Sequence, residues 1–290
     1  MKSGFVNILG KPNAGKSTLL NALIGEKLAI VSSKVQTTRH RIRAFLNGPD
    51  YQIVFSDTPG VIEPKYKLHE KMMHAVKTSM EDADVCLLVA DLRDDFIELD
   101  NLFSSLKLKV KSILILNKSD MVRADRIKSA KEFFQDKPYC KKVIVMSAAS
   151  KMHVQELIAD VVELLPEGEP FYGEDELTDL PTKFFTGELI REKIFELFDE
   201  EIPYQSTVMV SKFEEQKSLI KISAEIIVQR ESQKAIILGT KGVMIKKLGM
   251  LSRVSIEQFL DSKVYLELFV KVRSNWRNND IYLKEYGYVQ

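Results

Sequence analysis

The sequence predicts an α/β domain with a mostly parallel sheet, followed by a smaller α+β domain. In the first 165 residues, short apolar runs alternate with amphipathic stretches. That is the pattern of strands and helices laid alternately into a parallel sheet covered on both faces. A proline-rich acidic stretch then breaks the alternation, and beyond it the order becomes helix, strand, strand, helix, helix, strand. A length of 290 residues agrees with two domains, since one domain commonly takes about 100–200 residues.

Strands are expected over residues 5–9, 41–46, 51–56, 85–90, 112–116 and 143–146, giving a six-stranded sheet. Helices are expected over 16–24, 69–80, 97–106, 126–134 and 154–165. Asn47-Gly48-Pro49-Asp50 is a turn between the second and third strands and makes one sheet edge antiparallel. From 163 to 182 there are seven acids, three prolines and no Lys or Arg. Such a stretch builds no core, so 166–182 reads as a linker between a domain of 1–165 and one of 183–290. The second domain opens with a helix over 183–198 and strands over 207–213 and 218–228. Helices over 233–238 and 243–260 follow around a glycine loop, then a strand over 263–272 and a last helix over 278–286.

Composition excludes several classes. With 45% hydrophobic and 29% charged residues the chain is neither fibrous nor largely disordered. Forty-two Lys and Arg against 41 Asp and Glu leave a net charge of +1, so overall charge selects no partner. Cys86 sits in an apolar run and Cys140 stands apart from it; two unclustered thiols suit a reducing cytoplasm rather than a disulfide scaffold or a zinc site. His40, His69, His74 and His153 show no metal-ligand spacing. No apolar run approaches the roughly 18–20 residues of a membrane span, and the opening residues lack the features of a signal peptide. A cytoplasmic protein is expected.

The strongest local signal is Gly10-Lys11-Pro12-Asn13-Ala14-Gly15-Lys16-Ser17, followed by Thr18, between the first strand and the first helix. Its glycines let backbone N–H groups close around phosphate oxygens, and the helix N-terminus adds a positive dipole. Lys16 is placed to reach the β- and γ-phosphates and Ser17 to ligate Mg²⁺. Base identity comes from Asn117-Lys118-Ser119-Asp120, behind a buried strand. The Asp120 carboxylate suits guanine N1–H and N2–H₂, a donor pair that adenine lacks. The Lys118 stem can lie over the base, and Asn117 can tie this loop to the phosphate loop. Ser147-Ala148-Ala149 follows the next strand, where the Ala148 N–H can donate to guanine O6. Each pattern alone is common; in order behind successive strands they form one site, because the strand ends are where such sheets bind ligands.

Asp57-Thr58-Pro59-Gly60 closes the third strand. Asp57 can hold Mg²⁺ through water, and the Gly60 N–H can meet the γ-phosphate. Gln36-Thr37-Thr38-Arg39-His40 lies in the polar stretch before the second strand. Thr37 or Thr38 completes the Mg²⁺ shell, with Thr38, directly before Arg39, favoured. Both loops are expected to be ordered by the γ-phosphate and released after hydrolysis.

These five elements resemble, in order and spacing, the Ras-like translation-factor class of P-loop GTPases. Val61 stands where Ras-type enzymes carry a water-orienting glutamine, so the resemblance implies weak intrinsic hydrolysis or a water positioned by other groups. In the second half, Gly239-Thr240-Lys241-Gly242 resembles the G-x-x-G loop of KH domains, and the element order resembles a type 2 KH fold. Eight basic residues against three acids from Lys241 to Arg277, with Lys241, Lys246, Lys247 and Arg253 on and after the loop, suit an RNA backbone. Ile236-Ile237-Leu238 and Ile245 offer an apolar groove wall for bases.

Together the halves resemble the Era family of bacterial GTPases over nearly the whole chain. The resemblance rests on residues 11–21, on Gln36-Thr37-Thr38-Arg39-His40-Arg41, on Gly239-Thr240-Lys241-Gly242 with Ile245-Lys246-Lys247-Leu248-Gly249, and on residues 265–272. Ala14 replaces a commoner valine, and Met250-Leu251-Ser252 replaces the usual run before Arg253; neither removes a ligand group. The family implies GTP and GDP as ligands, binding near the 3′ end of 16S ribosomal RNA, a role in 30S subunit assembly, a cytoplasmic pool and some peripheral membrane association. A monomer is expected. Likeness to potassium-activated relatives with the same P-N-x-G-K-S loop suggests a K⁺ held partly by Asn13. Two other readings remain: a signalling GTPase whose second domain binds protein or membrane, and a P-loop small-molecule kinase, against which Asn117 to Asp120 argue.

Overall fold

The computed structural model describes residues 1–288, so the last two residues of the expected second domain lie outside it. The described chain divides into two compact units. The first comprises Met1–Ala29, Thr38–Glu63 and Met72–Asp179; the second comprises Ile30–Thr37, Pro64–Lys71 and the chain from Leu180 onward.

In the first unit six strands form one sheet. They are β1 (Lys2–Gly10), β2 (Ile42–Gly48), β3 (Tyr51–Asp57), β4 (Val85–Asp91), β5 (Lys111–Asn117) and β6 (Lys142–Val145). The spatial order is β2-β3-β1-β4-β5-β6. Only β2 runs antiparallel, as the Asn47–Asp50 turn dictates. All seven residues of β4 are buried, as a central strand covered on both faces requires. Helices α1 (Lys16–Ile24), α2 (Lys67–Glu81), α3 (Phe96–Ser105), α4 (Ala124–Phe134) and α5 (Val154–Leu164) alternate with the strands; the first turn of α2 is counted with the second unit. Asp95 caps α3, accepting from the Ile97 and Glu98 N–H groups. Cys86 is fully buried, and burial pushes its thiol up to about 12, which leaves it an inert core residue.

The stretch expected as an acidic linker is bound to this unit along β2 and β3. The Gln52 side chain, itself fully buried, accepts from the Phe171 N–H at 2.6 Å and donates to the Tyr172 carbonyl at 2.9 Å. Tyr172 stacks on Phe45 with ring centroids 3.8 Å apart, and the Phe45 N–H donates to Leu177 O. Acidity does not prevent this ordering: the acids stay exposed, the backbone and two aromatic rings make contacts, and Asp179 pairs with Arg43 at 3.0 Å.

The second unit is a three-stranded sheet with helices. Strand β7 (Thr207–Glu215) pairs antiparallel with β8 (Ile220–Val228), which pairs parallel with β9 (Val264–Val272). Helix α6 (Thr182–Leu197) packs on β7 and on α9 (Val243–Leu260), and α8 (Glu231–Leu238) packs on α9 and β9. A short helix α7 (Ile202–Gln205), absent from the sequence reading, is fixed from outside: the buried Trp276 indole N–H donates to Gln205 O at 3.0 Å. The last helix, α10, is shorter than expected and spans Asp280–Glu285, capped by Asn279. Among the described residues no helix is long and apolar enough to cross a membrane.

Candidate functional site

In the first unit the expected residues converge on the carboxyl ends of β1, β3, β5 and β6. Residues 10–15 form the loop from β1 into α1, and Lys16, Ser17 and Thr18 begin the helix. Gly15 has φ +96°, and a Cβ there would stand 2.3 Å from Asn117 Nδ2. Only glycine lets that amide pass. Asn117 Nδ2 donates to Ala14 O at 2.8 Å, while Asn117 Oδ1 accepts from the Ala148 N–H at 3.0 Å. One side chain thus ties three loops together. The tie to the phosphate loop matches expectation; the Ala148 N–H, expected at guanine O6, is directed at Asn117 instead.

Lys16 is 6% exposed, and its ammonium donates to Gly10 O at 3.2 Å and Lys11 O at 2.9 Å. Burial lowers it to about 8 against the pull of Asp57. Ser17 Oγ donates to Asp57 Oδ2 at 2.6 Å and lies 2.7 Å from Thr38 Oγ1. Asp57 is fully buried, and its Oδ1 has no hydrogen-bond partner among the described residues. Burial raises its carboxyl to about 6, opposed by Lys16 and by bonds from Ser17, Thr38 and the Thr58 backbone. Two hydroxyls and a buried carboxylate with a spare oxygen are hard donors, and they fit Mg²⁺. Thr58 Oγ1 donates to Ile8 O at 2.9 Å, and the Val61 N–H donates to Gly10 O at 3.1 Å. These bonds hold Asp57, Thr58, Pro59 and Gly60 beside the loop.

The stretch around Thr38 is divided. Thr38, Arg39 and His40 belong to the first unit, and Gln36 and Thr37 to the second. There Thr37 Oγ1 donates to Lys34 O at 2.7 Å, its carbonyl accepts from the buried Arg191 guanidinium, and Gln36 Oε1 lies 3.1 Å from His69 Nε2. Asp120 is exposed and lines a cleft with Ser119, Met152 and His153. Ser147 is fully buried, and Ala149 is exposed. Lys118 Nζ donates to Asn13 O at 2.6 Å and pairs at 2.8 Å with Asp91, a residue the sequence reading passed over. Its signal was legible: Asp91 closes β4 as Asp57 closes β3.

In the second unit the glycine loop joins α8 to α9. Gly239, Lys241 and Gly242 all have positive φ (70°, 54° and 77°), and Gly242 caps α9. The loop therefore ends at a helix N-terminus, where the Gly242 N–H donates to Gly239 O at 3.1 Å and the Val243 N–H to Thr240 O. Thr240, Lys241, Lys246, Lys247 and Arg253 are exposed, and the four cations make no ion pair among the described residues. Ile245 is half-buried against the core and Ile236 is 49% exposed. Ile237, expected in the groove wall, is fully buried in the core, because α8 turns that face onto the sheet.

Two family descriptions match the chain: "50S ribosome-binding GTPase" over residues 5–118 and "KH domain" over residues 201–277. A "GTPase Era" from Carboxydothermus hydrogenoformans is 42% identical over 293 residues, covering 100% of this chain and 98% of that protein. The chain belongs to the Era family of GTPases. A second Era, from Geotalea daltonii, is also 42% identical over 99% of this chain and 97% of its own length. Among solved structures, an Aquifex aeolicus Era variant bound to GDP·AlF₄⁻ superposes with a TM-score of 0.95 at 37% identity, over the whole of both chains. An Era in complex with MgGDPNP and nucleotides 1506–1542 of 16S ribosomal RNA gives the same TM-score at 38% identity, again over both full chains. The chain is thus a P-loop GTPase with a mostly parallel six-stranded sheet and a C-terminal KH domain. The candidate magnesium ligands of this chain are hydroxyl and carboxylate oxygens; no cluster of three or more His, Cys, Asp or Glu suited to a metal occurs among the described residues.

Proposed function

We propose that this GTPase binds the 3′ region of 16S ribosomal RNA through its KH domain and uses its nucleotide state to time small-subunit assembly. Gly10, Lys11, Pro12, Asn13, Ala14, Gly15, Lys16, Ser17 and Thr18 take the phosphates. Ser17, Thr38 and Asp57 hold Mg²⁺, with Thr38 preferred to Thr37 because its hydroxyl lies beside Ser17. Asp120 reads guanine N1 and N2, Lys118 lies over the base, and Asn117, Ser119, Ser147, Ala148 and Ala149 frame it. Bound Mg²⁺ neutralises charge that gathers on the β- and γ-phosphates during hydrolysis. Lys16 adds a second positive group, and Asn13 helps hold a K⁺ ion. Val61 carries no group that orients water, so the chain itself supplies little general-base help.

Gly239, Thr240, Lys241 and Gly242 approach the RNA backbone, Ile245 supports a base, and Lys246, Lys247 and Arg253 neutralise phosphates. The carrying observation is that loop, with its positive-φ glycines and four exposed cations, in the same chain as the Ser17–Thr38–Asp57 oxygens. The Era bound to MgGDPNP and a 16S fragment supports the ligand pair. The GTPase domain spans 1–165 and the RNA-binding domain begins at 183, joined by 166–182. The protein acts as a monomer in the cytoplasm, with a fraction held peripherally at the membrane.

Crosslinking to total cellular RNA, with a GTP analogue and with GDP, tests partner and switch together. Enrichment of the 16S 3′ region in the analogue state is expected. Equal, sequence-blind recovery in both states overturns the reading.

A further inference from the structure

β4 ends in a carboxylate that none of these roles uses. Asp91 stands opposite Asn117 in the register of β4 and β5 and is 5% exposed. Its Oδ1 accepts from the Arg93 N–H at 3.0 Å, and Arg93 Nη2 lies 2.7 Å from Oδ2. Lys118 Nζ sits 2.8 Å from that same Oδ2 while donating to Asn13 O at 2.6 Å. The turn carrying the carboxylate is itself pinned: the Leu92 N–H donates to Asn117 O at 3.1 Å, and Arg126 Nε donates to Leu92 O at 2.9 Å. Burial works to raise the Asp91 carboxyl, but the bonds from Arg93 and Lys118 prevail and hold it at about 2.

A carboxylate already paired with an arginine has its charge answered. The dependence runs the other way, from Lys118 to Asp91. Lys118 projects a flexible four-carbon stem from a left-handed backbone position, φ 63°. Anchoring its ammonium on Asp91 and on the phosphate loop at Asn13 stretches that stem between the two loops. The methylenes then form a flat apolar face before any base arrives, and the rotamer freedom is lost in advance. We propose that Asp91 is a positioning residue for the guanine site, acting through Lys118 to hold the stem on which the base lies. The inference rests on the base-site reading above. Asp91 touches no group assigned to the phosphates' chemistry, so its effect falls on nucleotide retention and leaves the hydrolysis step alone.

The test uses the full-length protein, release of a fluorescent GDP, and GTP turnover at saturation. Asp91→Asn is expected to speed release about five- to twentyfold while kcat stays within twofold. Lys118→Met should speed release at least as much, and adding Asp91→Asn to it should change the rate less than twofold. That non-additivity is the readout a merely structural role for Asp91 does not produce. Asp91→Glu, which keeps the charge one methylene further out, should recover part of the loss. If Asp91→Asn does not fold, Asp91→Glu with and without Lys118→Met carries the same comparison. Wild-type release from a folded Asp91 variant, or fully additive losses, overturns the proposal. A Lys118→Met protein that retains GDP like wild type overturns the base-site reading, and the positioning role with it.

Discussion

On the proposed reading of the site, base choice comes down to one exposed carboxylate. Asp120 presents two acceptor oxygens where guanine presents two donors, and an amide offers only one acceptor. Asp120→Asn should therefore weaken GTP by about 2–4 kcal/mol, the scale of a lost bidentate charged pair. The same change should improve xanthosine triphosphate, whose O2 accepts where guanine donates. A nucleotide titration with both triphosphates measures it, and unchanged GTP affinity would show that guanine is read elsewhere. Asn13 bears on the chemistry in a different way. It stands exposed in the phosphate loop at φ 63°, and no glutamine follows Gly60. A monovalent cation beside Asn13 would supply charge that Lys16 and Mg²⁺ do not. Turnover should accordingly be faster in KCl than in NaCl at equal ionic strength, and equal rates would remove K⁺ from the mechanism.

At the level of elements, two segments depend on backbone groups being met from outside. The 171–177 stretch has no helix or strand of its own; the Gln52 side chain and the Phe45 backbone satisfy it. Gln52→Leu buries those groups without partners and should cost about 1–3 kcal/mol. Hydrogen exchange should show protection lost at Phe171 and Tyr172 while β4 stays protected. The loop between α8 and α9 does the opposite, since its four cations face outward with no ion pair among the described residues. Lys241→Glu with Lys246→Glu should weaken RNA binding more than tenfold and leave GTP binding nearly unchanged. Each lost phosphate contact should also flatten the log–log salt dependence by roughly 0.7 for a single strand. RNA titrations at several salt concentrations measure both quantities, and an unmoved slope would take this loop out of RNA binding.

For the whole molecule, nucleotide binding is linked to stability. Ser17 donates to Asp57 Oδ2 and Lys16 reaches the Gly10 and Lys11 carbonyls, which leaves Asp57 Oδ1 buried with no hydrogen-bond partner among the described residues. Mg²⁺·GDP should answer those charges. At a free concentration about 100 times its Kd, linkage alone adds about 2.7 kcal/mol to unfolding. Thermal unfolding should therefore shift up with Mg²⁺·GDP and fall back when EDTA removes the metal. Lys16→Ala should abolish the shift, whereas the Lys241→Glu, Lys246→Glu protein should keep it. A shift that survives EDTA in full would show that Mg²⁺ adds nothing to nucleotide retention.

Much of this was legible in the sequence because the signals are local. A glycine loop before a helix, an acid at a strand end and a period of apolar residues each act within a few residues, and so β1, the loop from 10 to 15 and the glycine turn at 239–242 follow from neighbours in the chain. Long-range partners were not legible. Composition marks 166–182 as acidic and proline-rich, but only Gln52, more than a hundred residues earlier, decides that part of it is ordered. The Ala148 N–H looks free in sequence, and only the fold brings Asn117 within 3.0 Å of it. Ile237 reads as a groove residue until α8 packs and turns it inward. Asp91 ends β4 and Lys118 follows the end of β5, and only the β4–β5 register brings them together. Sequence alone determined which chemical groups this protein carries and on which elements. Tertiary structure decided which of those groups spend their hydrogen bonds on one another, because a hydrogen bond depends on distance in space and not on separation along the chain.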